Sequence, residues 1–198
     1  MVSGRMMMAA TLVCVVTTSG LAVDRTILGT KLILNDKGNR SRLVFVSKDD
    51  LLEVPAGEEA PDVVGATLTV RNPVTGRSGT AVLPAAFWRL NRSGTTFNYD
   101  DGTIKVKFRD RRLLKIKAQS TIIALAGEPQ GEMSLVLRIG DERYCALFDP
   151  SSVRKDKPCV FKAKRAAAPL ECPDGAASPS GAFVLGMDST NERTGGRQ

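Results

Sequence analysis

Short runs in which apolar and polar residues alternate fill the chain from residue 31 to residue 164. Clusters of glycine, proline, asparagine and aspartate separate them, and a period of two predicts strands. The clearest run is Thr103-Ile104-Lys105-Val106-Lys107-Phe108, with Ile104, Val106 and Phe108 on one face and Lys105 and Lys107 on the other. After Arg109-Asp110-Arg111 the pattern resumes, with Leu114, Ile116 and Ala118 inward and Lys115 and Lys117 outward. A hairpin with a lysine-studded wet face is expected. Lysines so placed guard an exposed sheet against pairing with neighbouring chains.

The same alternation predicts strands over 31–34, 42–47, 67–70 and 80–83, the last confined to a sheet edge or ended by Pro84. Residues 134–139 and 143–148 form a second hairpin around Gly140-Asp141-Glu142. A two-residue turn there would set Arg138 opposite Arg143, an unfavourable facing of like charges. A three-residue loop pairs Arg138 with Tyr144 instead, and it is the expected geometry, with Cys145 buried among Leu135, Leu137 and Leu147. A last strand is expected over 160–164, and 119–125 is also read as strand. No segment holds a helical period over three turns. About nine short strands with turns between them predict an all-β fold, an antiparallel β-sandwich.

The first 22 residues break this pattern. One basic residue, Arg5, precedes an apolar run from Met6 to Val16 and a small-x-small exit at Gly20-Leu21-Ala22, which is the layout of a secretory signal peptide. The run is too short for a permanent membrane span. The expected organisation is therefore a signal peptide over 1–22, a β-sandwich domain over 23–173 and a disordered tail over 174–198, where alanine, glycine, serine and polar residues dominate. Cys14 leaves with the leader, and Val13 before it is too branched for a lipidation site. An exported protein, secreted or held in the periplasm or at the cell surface, is expected, with no membrane association after cleavage.

The whole chain of 198 residues carries a net charge of +7, and loss of Arg5 with the leader takes it to +6. The basic residues are spread along the chain, which suits a basic surface facing an acidic glycan or another extracellular protein better than a nucleic-acid stripe. Histidine is absent, which removes the usual general base, the usual zinc ligand and every Ser-His or Cys-His nucleophile system. No cofactor and no metal site is expected. Asn98, Asp100 and Asp101 supply oxygen but lack EF-hand spacing. An enzyme would have to work through carboxylates such as Asp100 or Asp101.

Phe87, Trp88, Phe97 and Tyr99 flank the loop Asn91-Arg92-Ser93-Gly94. Trp88, Tyr99 and Phe97 are the candidate binding residues, because flat aromatic faces with polar rims suit sugar rings. The competing reading places Trp88 in the core beneath a hairpin, the usual use of a single tryptophan in a sandwich. The basic runs at 109–112, 154–157 and 162–165 are read as solvated turns and tail, with docking of an acidic glycan as the alternative. After loss of the leader three cysteines remain, Cys145, Cys159 and Cys172, of which two pair in an oxidising compartment.

Several segments occur together: Gly29-Thr30-Lys31-Leu32, Arg42 to Asp49, Leu83-Pro84-Ala85 with Trp88, Tyr99-Asp100, Arg143 to Phe148, Phe161 to Lys164, Ala168-Pro169 and Cys172-Pro173. In these the chain resembles a family of uncharacterised secreted β-domain proteins from environmental bacteria, over about residues 26 to 173. The resemblance implies a Cys145–Cys172 disulfide with Cys159 as the extra thiol. A Cys145–Cys159 bridge across the intervening loop is the alternative. The expected function is a non-catalytic extracellular structural or interaction module, with a carbohydrate-binding module using exposed aromatics as the alternative.

Overall fold

The computed structural model describes residues 23–37, 41–119, 122–125 and 127–173, so the expected leader and the expected tail lie outside it. The described residues form thirteen strands. In chain order the first seven are β1 (Val23–Thr26), β2 (Gly29–Asn35), β3 (Arg42–Ser47), β4 (Ala66–Arg71), β5 (Ser78–Leu83), β6 (Trp88–Leu90) and β7 (Thr96–Asp100). The rest are β8 (Ile104–Arg109), β9 (Leu113–Ala118), β10 (Met133–Ile139), β11 (Glu142–Phe148), β12 (Val153–Lys157) and β13 (Val160–Ala166). One short helix, α1 (Pro61–Val64), starts on the proline whose fixed φ suits a first turn.

The strands build an all-β sandwich: a five-stranded sheet, ordered β1-β11-β10-β4-β5, and an eight-stranded sheet, ordered β12-β13-β2-β3-β9-β8-β7-β6. The inner faces meet in one apolar core. Phe45 of β3 meets Phe148 of β11 edge-on at 6.2 Å, and Phe108 of β8 meets Tyr144 of β11 edge-on at 5.0 Å, so aromatic pairs lock sheet to sheet. As expected, Pro84 follows an edge strand, β5.

Three expectations change. The strand count rises from about nine because β1, β6, β7 and β12 are short or polar, and their own apolar content does not mark them. Of these, β1 runs parallel to β11, the one parallel pair in an otherwise antiparallel set. Residues 119 and 122–125 contain no strand. Ile123 and Leu125 are apolar because they plug the core, and the Ile122 backbone crosses β5 so closely that a Cβ on Gly79 would lie 1.6 Å from the Ile122 carbonyl oxygen. Glycine is what permits that crossing.

The third change is the turn between β10 and β11. It holds two residues, Gly140 and Asp141, so Arg138 does face Arg143 and Leu137 faces Tyr144. Gly140 leads the turn with φ +54°. The like charges are tolerated because each has an acid of its own. Arg143 makes a two-pronged pair with Asp24 of β1, both contacts at 2.5 Å. Arg138 reaches Asp141 at 3.6 Å and the Gly140 carbonyl at 2.9 Å.

The register also turns Cys145 away from the core, onto the outer face of the five-stranded sheet. There it bonds to Cys172, with Cα atoms 5.3 Å apart, and forms a small apolar cluster with Val136. The chain after β13 is thereby pinned over that face. Cys159 is free.

Candidate functional site

The aromatic group is built by the β6–β7 hairpin and serves the core. Asn91 shapes the loop, its side-chain oxygen accepting from the Thr95 and Thr96 N–H groups. Trp88 faces Tyr99 across the strands with ring centres 5.2 Å apart. Trp88 is 0%, Tyr99 1% and Phe97 6% exposed, so none presents a ring face to a sugar, and the platform of exposed aromatics is not formed. The physical reason is register: these positions alternate inward with Val106 and Ile116 on the neighbouring strands. The Trp88 N–H donates to the Leu83 carbonyl at 3.3 Å, and the Tyr99 hydroxyl to Asp101 at 2.9 Å. Burial, aided by the Asp101 carboxylate, pushes the Tyr99 phenol up to about 12.

The acidic loop after β7 is equally self-contained. Asp101 accepts from the Thr103 N–H, the Thr103 hydroxyl and the Ile104 N–H. Burial would raise its pKa, but these donors outweigh it and hold the carboxyl below its ordinary range. Asp100 takes Lys105 Nζ at 2.7 Å, with the Gly102 N–H on its other oxygen. Neither carboxylate is placed as a proton donor. Among the described residues no group of acidic or cysteine side chains is arranged to hold a metal ion.

A second polar cluster lies where β1 meets β11. Arg25 forks onto Glu142 at 2.8 and 3.1 Å and reaches Glu53 at 2.8 Å. The Tyr144 hydroxyl lies against the Glu142 carboxylate and the Glu53 carbonyl. Burial, reinforced by Glu142, drives the Tyr144 phenol far up. Burial also works to raise Glu142, but Arg25 and Tyr144 prevail and hold it below the usual carboxylate range. Two carboxylates do converge there, but on an arginine that keeps Glu142 ionised, which suits a structural tie better than acid catalysis. Beside α1, a groove of about 520 Å³ is lined by apolar residues such as Val54, Val63, Leu90 and Phe97. Asp62 and Asp110 also line it, and the Asp110 carboxylate accepts from the Val54 N–H.

The eight-stranded sheet offers the strongest surface feature. Cross-strand registers align its outward positions in two rows. One runs Lys155, Lys162, Ile33, Val44, Lys117, Lys105, Asp100. The other runs Lys164, Lys31, Val46, Lys115, Lys107, Asn98, Arg89. Lysine thus faces lysine directly at Lys105–Lys117, Lys107–Lys115, Lys31–Lys164 and Lys155–Lys162. Among the described residues only Lys105 of these lysines has an ion-pair partner, Asp100. A shallow groove runs between Lys105, Lys107, Lys115 and Lys117, with Asn98 and Asp100 also in its lining.

Edge protection does not account for them. β8 and β9 lie inside the sheet, with β3 and β7 on either side, and the free edges are β12 and β6. Basic residues do stand on the edge strand β12, which carries Arg154, Lys155 and Lys157. Each hairpin's lysines were visible in the alternation. Their union with the lysines of β12, β13 and β2 was not, because it depends on strand order. Comparison of the chain with protein-family models, with curated proteins and with solved structures found no match.

Proposed function

We propose that this chain is a non-catalytic, exported interaction module that binds an anionic partner on the outer face of its eight-stranded sheet. The observation that carries this reading is the set of three interior lysine–lysine facings, Lys105–Lys117, Lys107–Lys115 and Lys31–Lys164. Like charges directly opposite on neighbouring strands are unfavourable, and among the described residues only one of the six, Lys105, has an acid paired with it. A sheet that retains them at a cost to its own stability is explained by an external anion that neutralises them.

Export is supported by the signal-like first 22 residues and by the Cys145–Cys172 bridge, which persists in oxidising compartments. Among the described residues, no helix is long and apolar enough to cross a membrane. The absence of histidine and the ionised, arginine-bound state of Glu142 support a non-catalytic role.

The test is retention of the disulfide-intact chain on a polycarboxylate matrix, against a neutral dextran matrix, as salt is raised. Retention on the charged matrix alone, lost by about 0.5 M salt as screening closes in, is expected. The variant K105Q/K107Q/K115Q/K117Q, with unchanged near-ultraviolet circular dichroism, should elute at far lower salt. Equal retention of variant and parent would overturn the proposal.

A further inference from the structure

The arrangement of the lysines narrows the partner, on the premise that the basic face is the binding surface. They are not spread evenly over the sheet. They lie in two rows that run across the strands, two residues apart along each strand, which is a separation of about 6.7 Å. From β12 to β8 the track crosses five strand spacings, about 24 Å. Its middle, at Ile33, Val44 and Val46, is apolar and recessed, with Val44 only 6% exposed. Charge is concentrated at the two ends: Lys155, Lys162, Lys164 and Lys31 of β12, β13 and β2 at one, the four lysines of β8 and β9 at the other.

Four kinds of anion can be compared with that track. A membrane surface is flat, whereas neighbouring strands rotate by about 20°, so the face normal turns by about 100° over five steps. No plane touches both ends, and among the described residues no exposed outward position of β2, β3, β8 or β9 holds an aromatic or a leucine ready to enter a lipid layer. Single-stranded nucleic acid requires stacking aromatics, and the aromatics of β6 and β7 point into the core. Protein interfaces concentrate aromatics and arginine and deplete lysine, the reverse of what is found. A linear polymer can wind with the twist, meet point charges one at a time and lie over an apolar middle with its sugar-ring faces.

We propose that the occupant is an extended acidic polysaccharide with a carboxylate on each sugar. It lies across the strands and engages the β8–β9 end and the Lys162–Lys164 end together. About five sugar units span the track, each advancing about one strand spacing. Lysine is suited to this, since it contributes a compact charge on a flexible stem and demands no bidentate geometry.

The test measures binding of the full chain, disulfide intact, to oligogalacturonates of two to eight units and to phosphatidylglycerol vesicles at low ionic strength. Affinity should rise at least tenfold from the dimer to the pentamer and level off beyond it. K162Q/K164Q should weaken the pentamer about fivefold and leave the dimer unchanged, because the dimer seats on the β8–β9 end. Both lysines are exposed, so the thermal midpoint serves as the check that the fold is intact. Equal affinity for dimer and pentamer, or tight vesicle binding with the oligomers ignored, would overturn the polysaccharide track and leave the anionic-face reading standing. Binding to no anionic probe, or oligomer binding untouched by K105Q/K107Q/K115Q/K117Q, would overturn both.

Discussion

Arg143 on β11 and Lys107 on β8 hold equivalent places. Each points outward from the interior of a sheet, and each faces a residue of its own charge, Arg138 for the one and Lys115 for the other. Their surroundings differ. The arginines are neutralised from within, Arg143 by Asp24 of the adjoining β1 and Arg138 by Asp141 of the turn. The lysines are not, since among the described residues no acid pairs with Lys107 or Lys115. The contrast extends to composition. Every lysine that lies in a strand belongs to the eight-stranded sheet, and the strands of the five-stranded sheet use arginine alone. Arginine's planar fork suits fixed internal pairing, and lysine's mobile point charge suits a partner that arrives from outside. The five-stranded sheet is further closed by the Cys145–Cys172 bridge and the chain it draws over Val136. One outer face is finished internally, and the other is left open.

The comparison can be broken most severely at the bridge. Replacing Cys145 and Cys172 with serine frees a loop of 27 residues, and the chain-entropy argument gives a loss of about 3.5 kcal/mol. Urea unfolding should show that loss, while binding of polyanions under native conditions stays as in the parent. A parallel fall in binding would mean that the two faces are not independent.

A smaller break tests the internal pairing. Glu142→Gln removes the carboxylate that Arg25 and Tyr144 share and should cost about 1.5 kcal/mol at neutral pH. The pH dependence has a defined sign. The folded pKa of Glu142 lies below its ordinary 4.5, so the folded state releases this proton more readily than the unfolded chain. Its contribution is therefore complete above about pH 5 and is lost as pH falls through 4.5 and on through the folded value. The gap between parent and Glu142→Gln should close over that acidic interval. A gap that is constant from pH 7 to pH 3 would show that Glu142 is not the ionised tie.

How much of this was legible in the sequence follows the range of the interactions. Alternation along β8 and β9 exposed both their inward apolar set and their outward lysines, since a period of two is a local property. β1 and β12 were not legible, because Val23–Thr26 and Val153–Lys157 are strands through their hydrogen-bonded neighbours and hardly through their own apolar content. The missed β1 then caused a second error. Without Asp24 beside it the Arg138–Arg143 facing is unfavourable, and local pairing alone favours a longer turn. The same limit hid the surface. Lys162 and Lys164 join the row structure of Lys115 and Lys117 only through β2 and β3, more than a hundred residues earlier than β13 in the chain.

The smallest expected effect is the most discriminating. Lys115→Glu puts a carboxylate opposite Lys107, between it and Val46, and converts a like-charge facing into an opposite-charge one. Such a change is worth about 0.5 kcal/mol in favour of the fold, and less at high salt, because the site is only part-buried. The same substitution should weaken polyanion binding several-fold. A residue kept only for solubility would show stability and binding moving independently of each other, and a residue kept for the core would lose stability. Gain of stability with loss of binding is the signature of a position held against the interest of the fold. Denaturant midpoints and polyanion titrations of the one variant measure both, and a Lys115→Glu protein that is less stable, or that binds as well as its parent, would equate the lysine face with the arginine face.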